Sequence, residues 1–274
     1  MDNFILWFFL ICIAIASLQD LKRREVDNWL NLFILFSGFG YLVFKSIFLQ
    51  DSVYLSLGVI CLLVMFGIAN LFYYSRVFAG GDAKLLFSMF ALFVGFEFIG
   101  TMYNIGWFVL FLLVSGSVYG LLWGFVLFIY NFNKATKDFI KQFKNVYLRF
   151  LFFAGIVLLL LSYFYFILLF ISLFIIIGII LFLFAKSIEN VSMIKLVDAK
   201  DLTEGDWLAS DVRVGGKVIK SNWEGLSNKD LKILGKLKKK IKIKQGLPFV
   251  PAFFIAFILY MFKERIIEFI LSFI

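Results

Sequence analysis

The sequence predicts an all-α polytopic membrane protein of about eight transmembrane helices, N-terminus outside, with a small α+β cytosolic domain inserted before the last helix. Three observations lead there. The 274 residues are 63% hydrophobic and 20% aromatic, with a mean hydropathy of +0.98, so the natural solvent of most of the chain is lipid. Apolar runs near the length that crosses ~30 Å of hydrocarbon recur along it, and only two prolines interrupt the chain. One lysine-rich polar stretch, from about Lys186 to Gly246, breaks the pattern.

The candidate spans fall at roughly 3 to 19, 29 to 49, 53 to 73, 82 to 99 and 104 to 130. The first apolar run, Phe4 to Leu18, has the length of a signal peptide. It is followed by Asp20 and Lys22-Arg23-Arg24 rather than by a small-residue cleavage site, so it reads as a retained span. Basic residues mark alternate loops: Lys22 to Arg24, Arg76, and the segment carrying Lys134, Lys137, Lys141, Lys144 and Arg149. The intervening turns carry none, which puts the N-terminus outside and the basic loops in the cytosol. The run from Phe150 to Ala185 is too long for one ordinary span. Parity favours a hairpin of two short helices, which returns the lysine-rich segment to the cytosol.

Within that segment, Val212 to Ile219 carries strand residues flanking Gly215-Gly216, a hairpin signal. Ser227-Asn228-Lys229-Asp230 fits a capping box opening a helix with Leu231, Leu234 and Leu237 at helical spacing. Lys240-Ile241-Lys242-Ile243-Lys244 alternates like a half-buried strand. Pro248 and Pro251 suit the start of the last helix, whose apolar stretch ends at Phe262; the remainder reads as amphipathic and interfacial.

Titratable chemistry is sparse. The chain has no histidine, which removes Ser-His and Cys-His nucleophiles and HExxH zinc helices. Cys12 and Cys61 lie inside apolar runs, outside any CxxC pair. Asp20 and Asp82 each sit where a long apolar segment meets a short basic or glycine-rich one, and a carboxylate so near hydrocarbon is a functional-site candidate. Two carboxylates cleave an amide when one is ionised, to take a proton from water, and the other protonated, to give one to the carbonyl. Close neighbours in low dielectric enforce that split. Helix ends suggest the roles. Asp82 opens a helix, where free N–H groups favour charge, so it is expected as general base; Asp20 ends one, so it is expected to hold the shared proton. Gly80-Gly81 allows φ > 0 and close backbone approach, although Gly-Gly-Asp alone fits a plain turn capped by Asp82 equally well.

The stretch Gln19-Asp20-Leu21-Lys22-Arg23-Arg24-Glu25-Val26-Asp27-Asn28-Trp29-Leu30, followed by Ala79-Gly80-Gly81-Asp82-Ala83-Lys84, resembles the two-aspartate signature of the type IV prepilin and preflagellin peptidases, GxGD-type intramembrane aspartyl proteases, and of their archaeal members most. Leu148 to Gly155, Glu204 to Ala209, Glu224 to Ser227 and Gly246 to Phe253 resemble the C-terminal region of the longer archaeal enzymes. Two positions depart: Ala79 replaces the first glycine of GxGD, and Asp27 stands where the first motif has proline, adding a third carboxylate. The resemblance implies an aspartic endopeptidase with catalytic Asp20 and Asp82, and with Gly80, Gly81 and Lys84 shaping the site or binding substrate. The apolar runs and the polar segment divide the chain into an expected membrane catalytic core over 1–186, a cytosolic α+β domain over 187–247 and a transmembrane or interfacial helix over 248–274. The expected partners are the lipid bilayer and the short class III signal peptides of prepilin or prearchaellin precursors, cleaved at the cytosolic face of the cell membrane. The CxxC zinc domain and N-methylation of many bacterial relatives have no counterpart here. No methyltransferase activity, metal or cofactor is expected.

An ion- or proton-coupled transporter using the same aspartates is the alternative. It calls for acids near mid-bilayer and internal hydropathy repeats, and the sequence has neither. A third reading is an inactive membrane scaffold. Glu97 lies near the outer end of its run and reads as interfacial, and Lys22 to Arg24 read as topology determinants. Lys238 to Lys240 read as a solvated or lipid-facing patch, and no nucleic-acid partner is expected.

Overall fold

The structure, a computed structural model, describes residues 3–214, 217–222, 225–235, 237 and 239–273. The chain divides into two compact units, residues 1–121 with 248–274, and residues 122–247.

The first unit is a helical bundle: α1 (Asn3–Arg23), α2 (Asn28–Phe48), α3 (Val53–Tyr74), α4 (Gly80–Ser88), a 3-10 turn (Phe90–Phe93), the first part of α5 (Phe98–Tyr130), α10 (Val250–Met261) and α11 (Lys263–Leu271). Its core is aromatic and aliphatic throughout, built around Phe9, Ile34, Met65, Phe93, Phe253 and Phe257, with α10 packed along α1. The first three helices end without glycine. Arg24 (φ 60°), Gln50 (φ 53°) and Arg76 (φ 62°) take the left-handed conformation instead. After α2 and α3 this lets the Asp51 amide bond the Ser46 carbonyl at 3.0 Å, and the Val77 amide bond the Phe72 carbonyl at 3.0 Å.

The second unit continues α5 into α6 (Phe132–Phe143), α7 (Val146–Leu161) and α8 (Ile167–Ser192), then a small α+β region. That region holds β1 (Ile194–Asp198), β2 (Trp207–Leu208), β3 (Val212–Val214), β4 (Lys217–Ile219), α9 (Asn228–Leu234) and β5 (Lys240–Lys244). A three-stranded antiparallel sheet has the order β1-β5-β2, with Ile194 opposite Lys244 and Leu208 opposite Ile243. Strands β3 and β4 pair antiparallel, Val212 opposite Ile219; the Gly215-Gly216 turn between them lies outside the described residues, as does Lys238 of the basic patch. Ile241 and Ile243 point into the small core while the lysines of β5 face outward, as the alternation requires. Ser227 and Asp230 form the expected capping box of α9.

The protein is a multi-pass membrane protein with a small α+β region, as the sequence predicts, but the spans are distributed differently. Helices α1, α2, α3, α5 and α8 are each long and apolar enough to cross a membrane, and α6 with α7, bent by 83°, makes a sixth if the pair counts as one. The span expected at 82 to 99 is instead the nine-residue α4 and a 3-10 turn. Leu85, Leu86 and every residue from Ser88 to Phe93 are buried, so this apolar run is protein core; hydropathy cannot tell core from lipid-facing surface. The 33 residues of α5 would extend ~50 Å. The run from Phe150 folds as a hairpin: α7 and α8 pack on each other, with Gly155 so close to α8 that a Cβ would sit 2.9 Å from Ile176 Cγ1.

Candidate active site

Asp20 lies in the last turn of α1 and is buried. Its carboxylate reaches across the bundle: Oδ2 accepts the backbone N–H of Val250 at 2.8 Å, and the Phe249 amide bears on it as well. Val250 is the first residue of α10, whose leading amides have no intrahelical partner, so the N-terminus of one helix serves the acid at the C-terminus of another. Two serines fix this crossing. Ser17 Oγ donates to the Val250 carbonyl at 3.3 Å, and Ser115 Oγ donates to the Ala252 carbonyl at 3.0 Å.

Asp82 is the third residue of α4, where Oδ2 accepts the Ala79 amide at 3.2 Å, a short acidic cap on a helix start. It lies outside the helices long enough to cross a membrane. Burial, and next the charge of Asp20, push its carboxyl from the ordinary 3.8 up to about 7. The two aspartates, 62 residues apart in sequence, are thus electrostatic neighbours. Tyr119 of α5 is also within Coulombic reach of Asp20.

An aromatic knot joins the two halves of the site. Phe78, just before the glycines, packs its ring 5.4 Å from Phe249 and 5.6 Å from Phe253. Gly116 of α5 lets Phe249 in: a Cβ there would lie 2.6 Å from Phe249 Cζ. None of these partners carries a catalytic signal in sequence. The nearest hint is Gly246 to Phe253, a stretch that resembles archaeal enzymes without revealing a role.

The other expected site residues fall around the pair. Gly80 and Gly81 are the first two residues of α4, and neither has positive φ, contrary to expectation; the cap from Asp82 holds them in helical conformation. A Cβ at Gly81 would meet nothing within 4 Å. Lys84 Nζ donates to Asn28 Oδ1 at 2.9 Å, tying α4 to the start of α2. Asp27 does not join the pair. Its Oδ2 accepts Gln19 Nε2 at 3.1 Å and Trp29 Nε1 at 3.2 Å, and Arg23 lies 3.6 Å from Oδ1, so it braces the α1–α2 turn. A cavity of about 640 Å³ lined by Lys45, Tyr54, Glu97 and Lys263 lies at the opposite helix ends, away from both aspartates. Among the described residues no group of three or more His, Cys, Asp or Glu could hold a metal ion.

Comparison with known proteins bears directly on this arrangement. The model of the type IV leader peptidase family matches residues 7–129, a stretch that contains both aspartates and the loop between α3 and α4. That stretch is similar to the type IV leader peptidases. A preflagellin peptidase of Methanococcus maripaludis is 26% identical over 144 residues, which cover 48% of this chain and 62% of that protein. No solved structure matches. Val250, which holds Asp20, lies outside the leader-peptidase region as matched.

Two expected results follow from the geometry. A carboxyl with a raised pKa binds its proton more tightly folded than unfolded, so the folded state loses stability as pH rises from about 4 through about 7. Asp82→Asn removes that loss. In thermal unfolding the variant should melt above wild type at pH 8, and the two should converge near pH 4. The second concerns Gly116. Gly→Ala inside a helix ordinarily gains about 0.5–1 kcal/mol, but here the new methyl meets the Phe249 ring, which Phe78 and Phe253 hemmed in. Gly116→Ala should therefore express normally, yet lower several-fold the activity proposed below. Adding Phe249→Leu should restore part of it, as a double-mutant cycle on activity would measure.

Proposed function

We propose that this chain is an intramembrane aspartyl endopeptidase that removes short leader peptides from pilin-like or archaellin precursors. The observation that carries the reading is the pairing of Asp20 with Asp82: two acids from different helices, each held by a backbone amide, close enough that one charge raises the other's proton affinity. The match of residues 7–129 to the type IV leader peptidase family supports the substrate class.

The environments divide the labour. The α10 amides favour charge on Asp20, a helix end that local sequence reasoning about α1 and α4 leaves out, so the roles expected from those two helices are exchanged. Asp20 is the resting carboxylate and Asp82 carries the proton. Asp20 takes a proton from a water molecule as its oxygen attacks the scissile carbonyl carbon, and Asp82 gives its proton to the carbonyl oxygen. Collapse of the tetrahedral intermediate breaks the C–N bond, and the departing amine takes the proton from Asp20. The hydroxyl proton returns to Asp82, which restores the starting state.

The basic residues Lys22, Arg23, Arg24 and Arg76 lie at the same helix ends as the pair, which supports a cytosolic active site. The position of Asp20 in the last turn of α1 speaks against the mid-membrane acid that a transporter would use. The test is direct. Purified chain in detergent, incubated with a pilin-like precursor, should shorten it by its leader, with the new N-terminus at one position by mass spectrometry, and a chelator should leave the rate unchanged. An intact precursor after incubation with folded protein rejects the proposal.

A further inference from the structure

Asn31 on α2 is 6% exposed, and neither Oδ1 nor Nδ2 has a hydrogen-bond partner among the described residues. An unsatisfied buried carboxamide is costly, and native proteins keep few of them without a use. Two contacts fix its level on α1. Gln19 bonds Asp27, and the Phe9 ring lies 3.7 Å from where a Cβ on Gly38 would be, so Asn31 stands level with Ile15 and Ala16. On the other side, Lys84 bonds Asn28, and Ala91 Cβ lies 2.8 Å from that same Gly38 position, so Asn31 stands level with Leu86. Ala16 is four residues before Asp20 and Leu86 four residues after Asp82, so along the helix axes Asn31 stands about one helical turn, ~6 Å, beyond the pair. An extended peptide advances ~3.3 Å per residue, so that distance is about two residues of substrate.

We infer that Asn31 is a substrate-binding residue whose carboxamide pairs with a backbone peptide group about two residues beyond the scissile bond, on the side that continues into the apolar segment of the precursor. One acceptor and two donors match the N–H and C=O that a locally unwound helix leaves open. Leu30 and Ile34, its neighbours along α2, are buried and apolar, so such a pair forms out of contact with water. The inference rests on the peptidase reading and adds a subsite to it.

The experiment compares wild type with Asn31→Leu, close in size and without polar atoms, in detergent on a synthetic precursor. Processing kcat/KM should fall about tenfold or more while the melting temperature stays equal or rises, because an unsatisfied polar group has been removed. A precursor N-methylated at the second residue beyond the scissile bond should lose its advantage with wild type, so that the two enzymes cleave it alike. Asn31→Ala serves as a second variant should leucine prevent folding. A kcat/KM within twofold of wild type, or a loss accompanied by a lower melting temperature, overturns the role of Asn31. A wild type that leaves the precursor intact rejects the peptidase reading itself, which the stability comparison keeps distinct.

Discussion

Replacing either Asp20 or Asp82 by asparagine should abolish precursor processing while the protein still inserts and folds. An amide can neither accept the proton of the attacking water nor donate one to the carbonyl, and a positioned acid or base is worth about 10²–10⁴-fold each. Losses of at least that size are expected in a single-turnover assay on purified variants. Because the two carboxyls work as a unit, the double variant should be little worse than either single one. Asp27→Asn is the discriminating control. Asp27 is engaged by Gln19, Trp29 and Arg23 at the α1–α2 turn, and asparagine keeps an acceptor for most of these contacts, so activity should stay near wild type. An Asp27→Asn variant as inactive as Asp20→Asn, at equal expression, would mean that the wrong pair has been assigned.

The second large effect is expected at a residue with no functional side chain. Val250→Pro deletes the amide that donates to Asp20, at the first position of α10, where a helix accommodates proline. A hydrogen bond to a charged group is worth about 1.5–3 kcal/mol, so kcat should fall roughly 10–100-fold with KM little changed. Val250→Ala keeps the amide and should retain most of the rate. Replacing Val250 by its α-hydroxy acid, which exchanges N–H for an ester oxygen without restraining Phe249, should reproduce the proline result. Equal loss in the alanine variant would assign the effect to packing instead of to the amide.

How much of this was legible in the sequence depends on the range of the signal. Helices α1, α2 and α3, the strand alternation of β5 and the capping box at Ser227 are written locally, in apolar run length, period-two patterning and a four-residue motif, and all are present. The 82 to 99 segment was misread because its apolar residues face core instead of lipid, a difference that only tertiary structure makes. The hairpin of α7 and α8 was accessible through parity, which sums charges over the whole chain. At the site, Asp20 and Asp82 announced themselves as acids at the edges of apolar runs. Val250 could not, since its contribution is a backbone amide brought from 230 residues away. The helix-end argument accordingly weighed only α1 and α4: of three helix ends meeting at the site, those two alone are visible locally. Asn31 was hidden for the opposite reason, because an isolated polar residue in an apolar helix shows its lack of partners only once the helix is packed.

In the proposed mechanism the pair shares one proton, carried by Asp82, while Asp20 stays ionised under the Val250 amide. Infrared difference spectra of the purified protein near pH 6, taken for wild type and each asparagine variant, resolve the protonated-carboxyl band by residue where bulk titration would report only the coupled pair. The band should be present in wild type, survive in Asp20→Asn and vanish in Asp82→Asn. Survival in Asp82→Asn with loss in Asp20→Asn would reverse the acid and the base, and its absence from wild type would contradict a shared proton altogether.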